Sequence, residues 1–497
     1  MTFTPSVQQQ ALFTWITTGR GNARVDARAG TGKTTTLVEA CKLMTGSVAF
    51  VAFNKAIADE IKARVGSLTL RARVDAATFH SLGFRAWRKV APNVLVDGKK
   101  VPQLAAGLGY DEITTQFTCK LVSFAKQHAF GFLCPLDDRS RWYALVQHHD
   151  LEESLPDGSV YDVEELITKA IALLRASIAA DQRVIDFDDQ LYAPLVHNAK
   201  MWQYDWVLVD EAQDTNPARR ALAKKMLRPG GRLIAVGDPY QAIYGFTGAD
   251  SDALDLIERE FNTTRFPLTV TYRCARSVVA LAQQWVPDFT AHSGNAEGTV
   301  DTLPYEQLVA ALQPTDAVLC RNMKPLVALA YQCIRAGVGC YVEGRDIGRG
   351  LKALVGKWKV RTTAALEKRL LDYMDKETAR YMAKGEELKA AALADKVETL
   401  LVVMEGRATV ADVLQALDAL FDDTPPSGQQ TRTGFSTIHR SKGREWTRVL
   451  WLGKEQLQPS KYARQEWQLA QEQNLMYVAA TRAKQELIVV PTPTKKA

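Results

Sequence analysis

No stretch of the sequence approaches the roughly 18 uncharged apolar residues of a membrane-spanning helix, and Met1 to Trp15 show no basic leader followed by an apolar run. A membrane protein is therefore not expected, and a cytoplasmic one is. Cysteine is sparse and scattered: Cys41, Cys119, Cys134, Cys274, Cys320, Cys333 and Cys340 form no C-x-x-C pair and lie at no zinc-finger spacing from a histidine. That excludes a disulfide scaffold and points to free thiols in a reducing compartment. Internal repeats and low-complexity tracts are missing as well, so solenoids and long disordered linkers are out. Nor does one charge dominate: 62 basic and 56 acidic residues leave a net charge of +6. Such a mild basic excess is compatible with a phosphate-rich partner without selecting one.

What is present is an ordinary globular composition, 46% hydrophobic and 24% charged, on a chain of 497 residues. At roughly 100–200 residues per domain that length predicts three or four packed units. Short runs of Val, Ile, Leu and Ala alternate with helical patterns in the first third and again around 205–345, as in parallel sheets flanked by helices. Candidate strands are Ala23–Ala27, Val48–Phe53, Trp206–Val209, Leu233–Val236, Leu268–Val270 and Ala317–Cys320, with the last ones near Val449–Leu452 and Leu487–Val490. Ile57, Ile61 and Val65 fall on one face, so Asn54–Val65 reads as a helix. Two segments break the rhythm and read as helical insertions. The expected layout is a first α/β domain over 1–86 and 187–264, an insertion over 87–186, a second α/β domain over 265–346 and 424–497, and a smaller insertion over 347–423. The run Asp422–Thr433 reads as the loop that returns to the second sheet.

The first candidate strand runs into Ala27-Arg28-Ala29-Gly30-Thr31-Gly32-Lys33-Thr34-Thr35, then a helical stretch to Met44. Strand, small-residue loop and helix in that order make a phosphate-binding loop. Backbone N–H groups from Ala29 to Gly32 can wrap a phosphate at a helix N-terminus, whose dipole favours an anion. Lys33 supplies a point charge to the β/γ-phosphates of ATP, and the Thr34 hydroxyl a ligand to Mg²⁺. The strict pattern wants glycine at Ala27, and a chance glycine turn is the bland alternative. A second motif weighs against chance. Val207-Leu208-Val209-Asp210-Glu211 is an apolar strand ending in two acids, where Asp210 can hold Mg²⁺ and Glu211 can act as base toward the attacking water. By itself that pair would read as a solvated loop. With the phosphate loop it completes one phosphoryl-transfer site.

Further segments carry a resemblance. Gly237-Asp238-Pro239-Tyr240-Gln241-Ala242-Ile243-Tyr244-Gly245-Phe246 resembles the third motif of UvrD/Rep-type superfamily 1 helicases. This implies that Gln241 senses the γ-phosphate and that Phe246, with Tyr244 near it, faces DNA. Val270-Thr271-Tyr272-Arg273 is similar to the motif whose Tyr stacks on adenine and whose Arg approaches the γ-phosphate. Ile438-His439-Arg440-Ser441-Lys442-Gly443-Arg444-Glu445-Trp446 resembles the fifth motif, which puts Glu445 toward the nucleotide and His439 toward DNA. Tyr477-Val478-Ala479-Ala480-Thr481-Arg482-Ala483-Lys484 resembles the sixth, with Arg482 a second arginine finger, and Glu472 falls where the family contacts the nucleoside. Ser6-Val7-Gln8-Gln9-Gln10-Ala11 resembles the adenine-reading Q motif, in a register that favours Gln9. Phe53-Asn54-Lys55 and Thr78-Phe79-His80-Ser81 resemble two DNA-contacting motifs, worded closest to the F-box DNA helicase branch.

A lone Phe is more often core than platform; that reading is preferred for Phe79 and reversed for Phe246, which Gly245 and Gly248 bracket. His80 and His439 read as backbone-phosphate or relay groups rather than acids or bases. Asp186-Phe187-Asp188-Asp189 also resembles a family element, with no role assigned, and Arg28 stands where the family more often has Gly. The stretch between Arg273 and His439 is shorter than in the longest members, so a full-sized second accessory domain is not expected.

The resemblance spans about residues 6–484. It implies an α/β fold of two RecA-like P-loop domains with parallel sheets, each carrying a mainly helical insertion. It further implies ATP and Mg²⁺ as cofactors, single-stranded DNA and its junctions with duplex as the track, 3′ to 5′ movement coupled to unwinding, and recombination or replication proteins as partners. The location it implies is the nucleoid in a bacterium, or the host cytoplasm for a virus. Three alternatives stay open: a translocase that strips proteins from DNA and unwinds poorly, a DNA-binding regulatory protein that does not hydrolyse ATP, and RNA in place of DNA as the natural track. Intact Lys33, Asp210, Glu211, Gln241, Arg273 and Arg482 weigh against the second.

Overall fold

A computed structural model describes residues 3–149, 151, 162–245, 250, 252–383, 387–421, 432–460, 463 and 465–492. The chain divides into two units, Met1–Thr269 and Val270–Ala497. In the first, β1 (Asn22–Ala27), β2 (Gly46–Ala52), β3 (Ala72–Thr78), β6 (Tyr204–Val209), β7 (Leu227–Gly237) and β8 (Thr263–Leu268) form a parallel sheet in the order β3-β2-β6-β7-β1-β8. Alternation along β2 fixes the layers. Val48, Phe50 and Ala52 enter the core on one face, with Leu12, Leu37 and Ile61, whereas Ala49 and Val51 enter the other, with Leu82, Leu191 and Leu222. The central strands β2 and β6 are thus covered on both faces, so the middle of the parallel ladder is shielded from water.

Several expectations need correction. The first domain does not end at residue 264: Thr263–Leu268 pairs in register with the phosphate-loop strand, Asn22 opposite Thr263 through Ala27 opposite Leu268. The candidate strand Leu268–Val270 is likewise two strands, β8 and β9 (Val270–Thr271), which lie in different units. β3 was not anticipated, because Ala-Arg-Val-Asp-Ala-Ala-Thr carries one large apolar side chain. The first insertion is not free of strands, since β4 (Leu95–Val96) pairs with β5 (Val184–Ile185) where the chain leaves and returns. Between them, the helices Lys100–Gly107, Glu112–Gln127, Arg139–His148 and Val163–Ala180 enclose a core of their own around Trp142, Leu121 and Ile167.

In the second unit, β11 (Thr299–Thr302), β12 (Ala317–Cys320), β13 (Cys340–Val342), β14 (Thr433–Thr437), β15 (Trp446–Leu452) and β16 (Ala483–Val490) form another parallel sheet, β11-β16-β15-β12-β14-β13. A small separate pair joins β9 to β10 (Thr290–Ala291). Helices Arg345–Gly356, Thr363–Ala383, Glu387–Met404 and Val410–Leu420 make up the second insertion. Their Leu366, Val397 and Leu417 share one core with Val318, Phe435 and Leu450 of the sheet, so this insertion thickens the domain instead of standing apart. The expected return loop over 422–431 lies outside the described residues, and Thr433 already belongs to β14. Among the described residues no helix is long and apolar enough to cross a membrane.

Candidate nucleotide and DNA site

In the first unit the motif residues gather at the carboxyl edge of the sheet, where the parallel strands β1, β2, β6 and β7 all end. After β1, Gly30 and Gly32 adopt φ of 69° and 83°, the left-handed turn that curls the loop toward the helix Lys33–Ala40. Thr31 Oγ1 donates to the Arg28 carbonyl at 2.9 Å, closing the turn, and Ala29 is buried within it. Lys33 Nζ pairs with Glu211 Oε1 at 3.0 Å, and the Thr34 hydroxyl donates to Asp210 Oδ2 at 2.7 Å. Two oxygens that close suit a small hard cation. Among the described residues no three His, Cys, Asp or Glu side chains group to hold a metal, so a Mg²⁺ held by Thr34 and Asp210 would complete its shell with phosphate and water.

Glu211 follows β6 at φ 53° and ψ 44°, a left-handed conformation that costs a non-glycine residue about 1–2 kcal/mol. The turn puts its carboxylate against Lys33 and within 2.5 Å of Gln213 Nε2. Gln213 Oε1 accepts from Asp238 N at 3.0 Å, and Asp238 Oδ2 accepts from Gln241 Nε2 at 2.7 Å. One hydrogen-bonded chain thus links the acid after β6 to the glutamine after β7. Burial raises the Asp210 carboxyl above the usual carboxylate range, and the Glu211 charge beside it adds to the effect against the pull of Lys33. Burial alone would lower Lys33, but Glu211, Asp238 and Asp210 outweigh it and keep the ammonium charged.

Gln9 is buried and has both ends of its amide engaged: Oε1 accepts from Ser6 N at 2.9 Å in a capping box, and Nε2 donates to Thr36 Oγ1 at 2.8 Å, beside Gly32. Its neighbour Gln8 clasps Thr269, donating to Oγ1 at 3.0 Å and accepting from its N–H at 2.9 Å. Thr35 accepts from Arg64 at 3.0 Å.

In the second unit Tyr272 leaves its ring 47% exposed and tilted over His292, with centroids 4.8 Å apart. Arg273 pairs with Glu445, which also takes Lys484 at 2.8 Å. Although burial acts the other way, those cations hold the Glu445 carboxyl below its usual range. Arg482 is buried and donates to the carbonyls of Val478 and Arg444, each at 3.0 Å. Glu472 is also buried and bound to Arg321 through contacts of 2.8, 3.0 and 3.3 Å, and it accepts from Ser460 N at 3.0 Å. That pairing was not legible in the sequence, although Arg321 does follow a strand end, as Asp210 does.

Of the DNA motif residues, Phe53 stands just past the end of β2, not within it as expected, and is 39% exposed. Its ring stacks on Tyr244 with centroids 6.0 Å apart and planes 9° from parallel. Asn54 and Lys55 are exposed beside it, Asn54 Oδ1 capping the helix Lys55–Gly66, and Thr78 caps the helix Phe79–Val90 in the same way. Phe79 takes the core placement preferred for it over the contact its motif implies: its ring is buried with Val51, Leu82 and Leu191, because the first turn of that helix points it into the sheet. His80 is pushed down to about 4 by burial and by Arg219, and His439 to about 3 by burial, Arg321 and Lys442, which makes both neutral at pH 7. Phe53, Phe79 and His80 line one narrow cleft with Asp210, Glu211, Asp214 and Arg219. Phe246 and Gly248 lie outside the described residues.

Comparison with known proteins gives two family matches. The UvrD/REP helicase N-terminal domain matches residues 7–106 and 110–262, and the UvrD-like helicase C-terminal domain matches 358–493. The ATP-dependent DNA helicase UvrD2 of Mycobacterium tuberculosis (strain H37Rv) is 26% identical over an alignment of 561 residues, covering 94% of this chain and 76% of that protein. A probable DNA helicase II homologue of Mycoplasma genitalium is 27% identical, over 54% of this chain and 41% of its own length. DNA helicase IV of Escherichia coli K12 is 24% identical, over 54% and 46%. The chain thus spans less than half the length of some of the relatives it matches.

Proposed function

The chain belongs to the UvrD/Rep helicase family, and on that premise we propose that it is an ATP-driven motor that moves 3′ to 5′ along single-stranded DNA and opens duplex at its junctions. The observation that carries this reading is the joint placement of a phosphate-loop lysine, two acids and a stacked aromatic pair on one sheet edge. Bound ATP supplies the phosphoryl group whose transfer to water drives movement. Ala29 to Thr35 cradle its phosphates, with Lys33 as the point charge. Thr34 and Asp210 hold Mg²⁺. Glu211 receives the proton of the attacking water, and Gln241 reads the terminal phosphate. Resemblance to the family assigns Arg273 and Arg482 to the charge that spreads over the phosphoryl oxygens, and Tyr272, Glu445, Glu472 and Gln9 to the nucleoside. Phe53 and Tyr244 offer a π face to an unpaired base, flanked by Asn54, Lys55 and Thr78, a mode of grip that tolerates any sequence. His80 and His439 accompany the DNA path as neutral hydrogen-bonding groups.

The test is ATP turnover with and without single-stranded DNA, followed by unwinding of duplexes that carry either a 3′ or a 5′ tail. Turnover indifferent to DNA removes the motor reading, and opening only of 5′-tailed duplexes reverses the polarity. Running a protein-displacement assay on the same preparation ranks stripping against unwinding.

A further inference from the structure

Arg28 is set into the phosphate loop with its backbone pinned on both sides. Its N–H donates to Leu268 O at 2.9 Å, and its carbonyl takes Thr31 Oγ1 at 2.9 Å. The side chain therefore leaves in a fixed direction, and it is 5% exposed. Its guanidinium lies 4.8 Å from the centre of the Tyr240 ring, and Nη1 lies 3.9 Å from Asp238 Oδ1. Both neighbours belong to the loop after β7 that carries Gln241.

Asp238 is the junction of that loop. It is fully buried, its Oδ2 orients the Gln241 amide, its Oδ1 accepts from Tyr240 N at 3.2 Å, and its N–H reaches Glu211 through Gln213. A buried carboxylate holds its charge only with cations near it. Burial does push Asp238 up, and the two cations that pull it back are Lys33 and Arg28. Lys33 is the group that phosphates would engage. Once it turns to them, Arg28 is the cation left for Asp238. A protonated Asp238 would turn an O–H toward Tyr240 N–H from Oδ1 or toward Gln241 Nε2–H from Oδ2, and the loop would lose one of the two contacts that orient the amide.

We propose that Arg28 is a positioning residue which keeps Asp238 an acceptor while Lys33 is engaged, and so lets Gln241 distinguish a nucleoside triphosphate from a diphosphate. The inference rests on the nucleotide reading above and adds to it a cation on the phosphate loop that acts through the loop after β7. The full chain is compared with Arg28→Gln and Arg28→Lys for equilibrium binding of ADP and of a non-hydrolysable ATP analogue, each with Mg²⁺, alongside thermal unfolding. Arg28→Gln weakens the analogue by about tenfold, the weight of one oriented hydrogen bond, and leaves ADP affinity and melting temperature in place. Arg28→Lys restores most of the difference. Equal weakening of both nucleotides, or an unchanged ratio, overturns the proposal. Should Arg28→Gln fail to fold, Tyr240→Leu, which removes the ring under the guanidinium, must show the same selective loss or the proposal fails. Wild-type protein that binds neither nucleotide sinks the nucleotide reading itself, and this inference with it.

Discussion

Lys33→Ala deletes the cation opposite Glu211 without touching the Phe53–Tyr244 stack. The expected outcome is loss of ATP turnover with single-strand affinity largely kept, read by a phosphate-release assay and a DNA anisotropy titration. The aromatics give the reciprocal result. Phe53→Ala removes an exposed platform, so DNA affinity falls by about 1–3 kcal/mol while the melting temperature holds. Phe79→Ala empties core volume instead and costs about 3–5 kcal/mol of stability. Protonation tells the two states of the chain apart as well. His149, stacked on Phe124 at 3.7 Å, is pushed down to about 3 by burial and by His148 and His128, and His80 and His439 are depressed too. These rings are neutral in the folded protein, whereas the unfolded chain binds protons below about pH 6.5. Their contribution is thus complete above that pH and is lost as pH falls toward the folded values. Melting temperature should decline from pH 6.5 to 5, and His149→Phe, which keeps the stack, should flatten part of that decline.

At the scale of elements, buried charge ties the first insertion to the helix Asp189–Val196, which packs on the first sheet. Lys100 Nζ meets Asp181 at 2.5 Å and Asp189 at 2.7 Å, with all three side chains no more than 1% exposed, and Lys126 meets Asp186 at 2.6 Å and Asp189 at 2.7 Å. Removing one member leaves carboxylates uncompensated, so Lys100→Met should cost about 3–5 kcal/mol in a denaturant titration. This knot gives Asp186 to Asp189 the structural account that the sequence alone did not. The strand ends that carry Gly30, Lys33, Asp210 and Gln241 were legible because short apolar runs that stop at glycines or acids mark them in the sequence, and these residues do follow β1, β6 and β7. β3 was not legible, since its burial comes from neighbours on the sheet and not from its own apolarity. The end of the first domain was missed for a related reason: Thr263–Leu268 shows its allegiance only through its register with β1. For Phe79 the base rate for a lone phenylalanine outweighed the motif, because a motif position fixes the backbone path while burial of the ring depends on the helix that begins there.

For the whole molecule, the prediction concerns two arginines of the second unit that lie far apart in the chain. Arg273→Ala and Arg482→Ala should each lower DNA-stimulated turnover by about 10³–10⁵, with a much smaller change in nucleotide affinity, because such contacts mature in the transition state. Arg482 also supports the carbonyls of Val478 and Arg444, so Arg482→Lys and a melting curve separate catalysis from folding. Near-normal stimulated turnover in a folded variant excludes that arginine from the reaction. The β4–β5 pair carries a different consequence. Leu95 and Val96 lie beside Val184 and Ile185, so the first excursion leaves and re-enters by one doorway. Closing a loop there costs little more for a long excursion than for a short one. What lies behind the doorway can be exchanged like a cassette at little entropic cost, provided the replacement still answers the charge of Asp189.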